Sequence, residues 1–244
     1  MSAPARVALI TGGAVRLGRA MVEELARSGW TVAFSYHASE QPAHDVVAAL
    51  AAEGHTALAF CADLDNRTSR RRLLDEVAAA CGGLDALVNN AAVFPRTPIA
   101  ELDEEALAAV LRTNLEAPLF LSLAAAPLLR ERSGAIVNIA DVHAMYPLKH
   151  HLAYSISKAA LVAATKALAI ELAPEVRVNA VAPGIALFPA SYDAPLRERL
   201  LRRTLLRREA GGAEIAHAVR YLLEGTHATT GQVLVVDAGR TLTL

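Results

Sequence analysis

Residues 7–19 read Val7-Ala8-Leu9-Ile10-Thr11-Gly12-Gly13-Ala14-Val15-Arg16-Leu17-Gly18-Arg19. Four apolar residues in a row suit a strand buried on both faces, and a helical run opens directly after the glycines. Glycines at 12, 13 and 18 let the chain turn tightly and let backbone approach backbone. A strand, a glycine turn and a helix in that order aim unpaired N–H groups and a positive helix end at one place, which suits a pyrophosphate. One such turn carries little by itself. Its weight comes from standing at the head of a strand–helix series.

Outward from it, short Val/Ile/Leu-rich runs alternate with longer Ala/Leu-rich runs, the pattern of βαβ units on a parallel sheet. The strands expected are Val7–Thr11, Thr31–Tyr36, Thr56–Ala62, Ala86–Asn89, Ala135–Ile139, Val176–Val181 and Val233–Asp237. That is an α/β fold with a single doubly wound sheet of about seven parallel strands and helices on both faces. No Pro/Gly/Ser-rich linker or repeat divides the chain, so residues 1–244 read as one domain. The least regular stretch, about 184–212, holds Pro189, Pro195 and the arginine-rich piece Leu196–Arg208. It follows a strand's carboxyl end, so it reads either as a substrate lid or as a surface helix with its leucines packed inward.

The chain is 54% apolar and 20% charged with a formal net charge of −1. Such a balance gives no global field to hold nucleic acid or an anionic membrane, and favours a small substrate. Cys61 and Cys81 are too few for a disulfide framework or a structural zinc site, which suits a reducing cytoplasm. No secretory leader is read at the N-terminus, and no uninterrupted stretch is read as long enough to span a membrane. Two helical runs, Glu104–Leu129 and Leu152–Leu172, are apolar nearly all round and predict self-association.

At the end of the second strand, where an NAD site usually places a carboxylate for the ribose hydroxyls, stand Tyr36-His37-Ala38-Ser39. Without that repulsion, and with Arg16 on the facing turn to pair with a 2′-phosphate, NADPH is favoured, His37 and Ser39 adding donors. Asp63, in Ala62-Asp63-Leu64, suits either an acceptor for the adenine amino group or a helix N-cap.

Tyr154 and Lys158 are one helical turn apart on one face. A phenol is a poor proton donor at neutral pH, and a neighbouring ammonium is expected to lower its pKa. With them go Asn89-Asn90-Ala91, Asn114, and Asn179 to Pro183-Gly184, all at or beside carboxyl ends of strands.

Together these residues, from Val7 to Gly239, resemble the short-chain dehydrogenase/reductase family. The resemblance implies Tyr154 as proton donor and Lys158 as the group that binds the nicotinamide ribose and tunes it. It also implies that Asn114 holds a relay water, that Asn90 and Ala91 line the adenosine ribose, and that Pro183-Gly184 packs by the nicotinamide. With Gly12, Arg16, Leu17, Gly18 and Leu64 these make the expected cofactor set. Two departures matter: most members have glycine at Arg16 and serine at Asp141. Both resemble the pteridine reductase branch, as does Phe94, whose counterpart stacks on the pterin. That branch often has arginine where Ala38 stands.

Asp141 also has a chemical reason. A carboxylate would repel the alkoxide developing on a ketone but can share a proton with Tyr154 for a ring nitrogen, the two titrating as a coupled pair. Phe94, Asp141 and Tyr154 are therefore the expected substrate residues of an NADPH-dependent pteridine reductase. Rival readings are a ketone reductase such as a 3-oxoacyl-carrier-protein reductase, with Arg197, Arg199, Arg202, Arg203, Arg207 and Arg208 receiving an acidic carrier, and a non-catalytic NADPH sensor. No metal is expected at His143, His150 and His151, because adjacent histidines point apart. Tyr146, His151, Leu187 and Phe188 are candidate pocket walls. The resemblance further implies a homotetramer, with the tail Gly239–Leu244 able to reach a neighbour's site.

Overall fold

The computed structural model describes residues 5–188 and 192–244. The strands are β1 (Val7–Ile10), β2 (Thr31–Tyr36), β3 (Ala57–Cys61), β4 (Ala86–Asn89), β5 (Ala135–Ile139), β6 (Arg177–Pro183) and β7 (Val233–Val236). They form one seven-stranded sheet in the order β3-β2-β1-β4-β5-β6-β7, and every neighbouring pair is parallel. Helices α1 (Arg16–Arg27), α2 (Glu40–Ala52), α3 (Arg67–Cys81), α4 (Glu104–Leu111), α5 (Ala117–Arg130), α6 (Leu152–Leu172), α7 (Ala194–Leu201) and α8 (Gly211–Arg220) connect them. The doubly wound arrangement expected from the alternation of short and long runs is present, with strand ends moved by a residue or two.

Alternation along each strand sends successive side chains to opposite faces. Ile10 and Phe34 pack with Met21 and Leu25 of α1 and with Ile215 and Val219 of α8. Leu9, Leu87 and Ile136 pack with Leu73 of α3, Leu121 and Leu129 of α5 and Leu168 of α6. Each such side chain, fully buried, stabilises the fold by about 1.5–3 kcal/mol. The winding reverses where β1 lies between β2 and β4, with Ala8, Leu9 and Ile10 opposite Ala86, Leu87 and Val88. A crevice therefore opens above the carboxyl ends of β1 and β4.

Three expectations change. The run read as one helix over Glu104–Leu129 is interrupted by a π-helical turn, Arg112–Glu116, in which the Ala117 N–H reaches the Arg112 carbonyl. Pro118 has no N–H to return to residue 114, so an α-type bond is lost there. Second, Glu104–Arg130 and Leu152–Leu172 do reach the length and hydropathy of a membrane span, with 33% and 50% of their apolar windows buried. Both pack against the sheet. Third, the arginine-rich piece is helical only over α7, which buries none of its residues fully, and Leu205 and Leu206 beyond it are exposed. Within α7, Leu196, Leu200 and Leu201 are half-buried while Glu198 and Arg199 are exposed. Residues 189–191, with Pro189 of the expected lid, lie outside the described residues.

Candidate active site

Gly12 has φ +64°, and a Cβ there would lie 3.2 Å from Ala91 Cα. At Gly13 it would lie 2.5 Å from Phe34 Cβ, and at Gly18 only 1.9 Å from the Gly12 carbonyl oxygen. The turn is also braced by side chains. Thr11 Oγ1 accepts from the backbone N–H of Asn90 (2.9 Å) and Ala91 (3.0 Å). Asn90 Nδ2 donates to the carbonyls of Thr11 (2.8 Å) and Gly12 (3.1 Å). Ser35 Oγ accepts from the Gly12 N–H at 3.3 Å. The Asn90 amide is therefore spent on the turn, which leaves the expected ribose contact to its backbone and to Ala91. Ser35 was not singled out from the sequence, where its only mark is one polar residue inside an apolar strand.

Helix α1 has no side-chain cap and no acidic residue in its first turn. Its first N–H groups are open to an anion. A cradle that any Cβ would fill and an uncapped helix behind it fit a dinucleotide's pyrophosphate.

At the other end of the crevice, His37 is exposed and Ser39 opens α2 without spending its hydroxyl on a cap. Asp63 does not cap α3. That is Asn66, whose Oδ1 accepts from the Ser69 N–H at 3.0 Å. Asp63 Oδ1 accepts from the Asp65 N–H (3.0 Å) in a local turn, and the Leu64 carbonyl accepts from Arg70. Arg16 sits at φ +53°, and its Nη2 donates to the Leu187 carbonyl at 3.1 Å.

Asp141 follows β5 and opens a 3₁₀ turn, Val142–Ala144. Its Oδ1 accepts from the His143 N–H (2.8 Å), and its Oδ2 accepts from the Tyr154 hydroxyl (2.8 Å). One oxygen fills the cap role weighed for it, and the other meets the Tyr154 hydroxyl. Lys158, fully enclosed, donates from Nζ to the Ile139 carbonyl at 2.7 Å and lies 5.8 Å from the Tyr154 ring centre. The expected lowering of the phenol does not occur. Burial, and then the charge and hydrogen bond of Asp141, push Tyr154 well above its ordinary value. Burial pushes Lys158 down to about 8, against the pull of Asp141.

Asn114 stands in the π turn. Its Oδ1 accepts from the Val93 N–H (2.8 Å), and its Nδ2 donates to the Val93 carbonyl (2.9 Å) and to Ser157 Oγ (3.0 Å). Its side chain fixes the chain just before Phe94. The Phe94 ring stacks on His151, centres 4.4 Å apart at 16°, and meets Tyr154 edge-on at 4.5 Å and 80°. The three histidines diverge: His143 Nδ1 bonds the Tyr146 carbonyl at 2.8 Å, His150 is exposed and His151 lies under Phe94. Pro183 ends β6, and a Cβ at Gly184 would lie 2.7 Å from Asp237 Cβ. Beneath the site, Asn89 donates to Ser122 Oγ and Asn138 Oδ1, and Asn138 to Thr165 Oγ1, a buried chain absent from the sequence reading.

A glycine cradle at the switch point of a parallel sheet, with tyrosine and lysine one turn apart beside it, defines a dinucleotide-dependent oxidoreductase. Residues 13–241 match the family model described as Enoyl-(Acyl carrier protein) reductase. The chain is 34% identical over 248 residues to the dihydromonapterin reductase of Enterobacter sp. (strain 638), covering 99% of both chains. It is also 34% identical over 243 residues to a putative ketoacyl reductase 2 of the granaticin polyketide synthase of Streptomyces violaceoruber, covering 96% of both. Its structure is similar to that of FolM alternative dihydrofolate reductase 1 from Brucella suis in complex with NADP. The TM-score is 0.92 at 31% identity, over 98% of this chain and 96% of the other. The chain belongs to the short-chain dehydrogenase/reductase family and is an NAD(P)-dependent oxidoreductase.

Proposed function

We propose that the protein is an NADPH-dependent reductase of a pteridine ring, a dihydropterin or the related dihydrofolate being reduced at a C=N bond. The observation that carries this reading is the 2.8 Å hydrogen bond from the Tyr154 hydroxyl to Asp141 Oδ2, a carboxylate where a ketone reductase of this family has a serine. When bound, the cofactor supplies hydride to the ring carbon. The chain's own residues supply the rest. Tyr154 keeps its proton because a second negative charge beside Asp141 is disfavoured, so the pair holds a proton ready for the adjacent ring nitrogen. Lys158 and Ile139 fix the floor beneath Tyr154. Asn114 has its side chain fully engaged, so its main-chain carbonyl is the group that holds a relay water. Phe94, braced through Val93, offers an aromatic face to a planar ring.

NADPH is favoured over NADH by the lack of a carboxylate at residues 37–39, directly after β2, and by the exposed His37 and the uncommitted Ser39. The Brucella relative's NADP complex supports this choice. The exposed Phe120 and Leu123 of α5 and Ile156 and Ile170 of α6 support a homo-oligomer, by family resemblance a tetramer. Within the chain, Thr243 Oγ1 of the tail Gly239–Leu244 donates to the Arg203 carbonyl, and the Leu206 N–H reaches the Ala238 carbonyl just before the tail. We take residues 1–244 as one domain of a soluble cytoplasmic enzyme. Against a carrier-protein ketone reductase, two of the six lid arginines are ion-paired, Arg202 with Glu198 (2.8 Å) and Arg208 with Glu214 (2.7 Å).

The test is NADPH oxidation with dihydrobiopterin, dihydromonapterin and dihydrofolate against acetoacetyl thioesters, with NADH as control. Preferential turnover of a dihydropterin with NADPH is expected. Turnover of the thioester alone moves the protein to the ketone branch, and NADPH binding without oxidation by any substrate makes it a sensor.

A further inference from the structure

Arg240 lies in the turn after β7 and is only 6% exposed. Among the described residues its Nη1 is buried with no hydrogen-bond partner. Leaving a buried charged donor unpaired is costly, so such a group calls for a partner. The carboxylates whose charge it feels are Asp141 and Asp237, and both are engaged elsewhere. Asp141 takes the His143 N–H and the Tyr154 hydroxyl. Asp237 takes the Gly239 N–H (2.9 Å) and the Thr241 N–H (2.7 Å). Arg203 adds a like charge, and Tyr192 stands on the lid side. The guanidinium thus lies in the turn after β7 within reach of the charges of Asp141 and Asp237, and neither carboxylate bonds its Nη1.

We infer that Arg240 is a substrate-binding residue whose Nη1 donates to an acceptor oxygen, an oxo or carboxylate group, of the molecule that Tyr154 protonates. The choice of ligands rests on the pteridine reading; the geometry does not. A buried site built to donate to an oxygen discriminates strongly against a ligand without one, because the donor is then left unpaired. A pteridin-4-one offers its ring oxygen, and dihydrofolate adds the carboxylates of its tail.

The experiment measures dissociation constants on the full-length, NADPH-loaded protein and its Arg240→Met and Arg240→Lys variants. The ligands are dihydrobiopterin, dihydrofolate and a 2,4-diaminopteridine, in which an amino group replaces the ring oxygen. Arg240→Lys keeps the buried charge while removing Nη1, should the methionine variant fail to fold; melting temperature and NADPH affinity report the fold. Weakening of both oxo ligands by about tenfold or more, with the diamino compound changed less than about twofold, is expected and assigns the ring oxygen. Weakening confined to dihydrofolate assigns the carboxylate. Equal weakening of all three makes Arg240 a support for Asp141 and overturns the inference. Unchanged affinities make it a solvent-satisfied arginine and overturn it too. If the unmodified protein binds no pteridine, the pteridine reading fails, and Arg240 is tested with acetoacetate against neutral acetylacetone. Weakening of acetoacetate alone then assigns the carboxylate, weakening of both assigns an oxo group, and unchanged affinities for both overturn the inference.

Discussion

The two halves of the crevice are built differently. Around the glycine turn, Thr11 and Asn90 bond to each other's backbone and Ser35 to Gly12, so that half is a preformed mould. On the β5–β7 side, Tyr154 and Asp141 face each other, Arg240 has an unpaired nitrogen and Phe94 is 44% exposed. The first half spends these side chains on its own backbone and leaves main-chain N–H groups for a ligand, while the second leaves side-chain capacity for one. A shared cofactor calls for the one, and divergent substrates for the other.

The sharpest way to break this contrast is in the mould. Gly18→Ala puts a methyl group 1.9 Å from the Gly12 carbonyl oxygen, and is expected to abolish NADPH binding in a fluorescence titration, a loss of about a hundredfold or more. A fold that stays intact with NADPH affinity unchanged would show the turn to be pliable. Next comes Tyr154→Phe, expected to lower kcat by about 10²–10⁴ with NADPH affinity kept, as removal of a general acid does. Asp141→Ser is expected to cost roughly ten- to a hundredfold in dihydropterin turnover and little in any ketone turnover, read from parallel steady-state assays. Equal losses on both substrates would remove the distinction between ring nitrogen and carbonyl oxygen.

Acidity tests the same boundary. Lys158 is held at about 8 in the folded protein against 10.5 ordinarily, so between those values the unfolded chain binds more protons. Stability should rise with pH through that window, by up to roughly 3 kcal/mol, and the slope should vanish in Lys158→Met, as measured by denaturant unfolding. The reductive rate should fall as pH rises through about 8. The smallest effect lies at the cofactor's far end. His37→Asp should shift preference toward NADH by about tenfold through like-charge repulsion. Arg16→Ala should change that ratio less than about threefold while raising the substrate KM, because Arg16 holds Leu187.

Much of the mould was legible in the sequence because its determinants are local. Glycines, strand runs and the Tyr154–Lys158 spacing lie within one turn or one strand. The bond from Arg16 to Leu187 was not legible, because its partner lies 171 residues on. Ser35 and Arg240 went unread for a related reason. Their roles come from strands brought together by the sheet order, and nothing beside them in the chain marks it. The phenol's shift went the other way because burial, which the Tyr154–Lys158 spacing does not show, dominates, with Asp141 adding to it.

The π turn at Arg112–Glu116 bears on how the long run before β5 is read. An extra residue in a helix rotates everything after it by about 100°. The apolar stripe of α4 and that of α5 are then two stripes on different bearings, and a single helical wheel drawn through both smears them into one greasy cylinder. Part of the all-round apolar character of Glu104–Leu129 is this change of phase. The exposed apolar surface of this run is narrower than the wheel suggests, and includes Phe120 and Leu123, beyond the inserted residue.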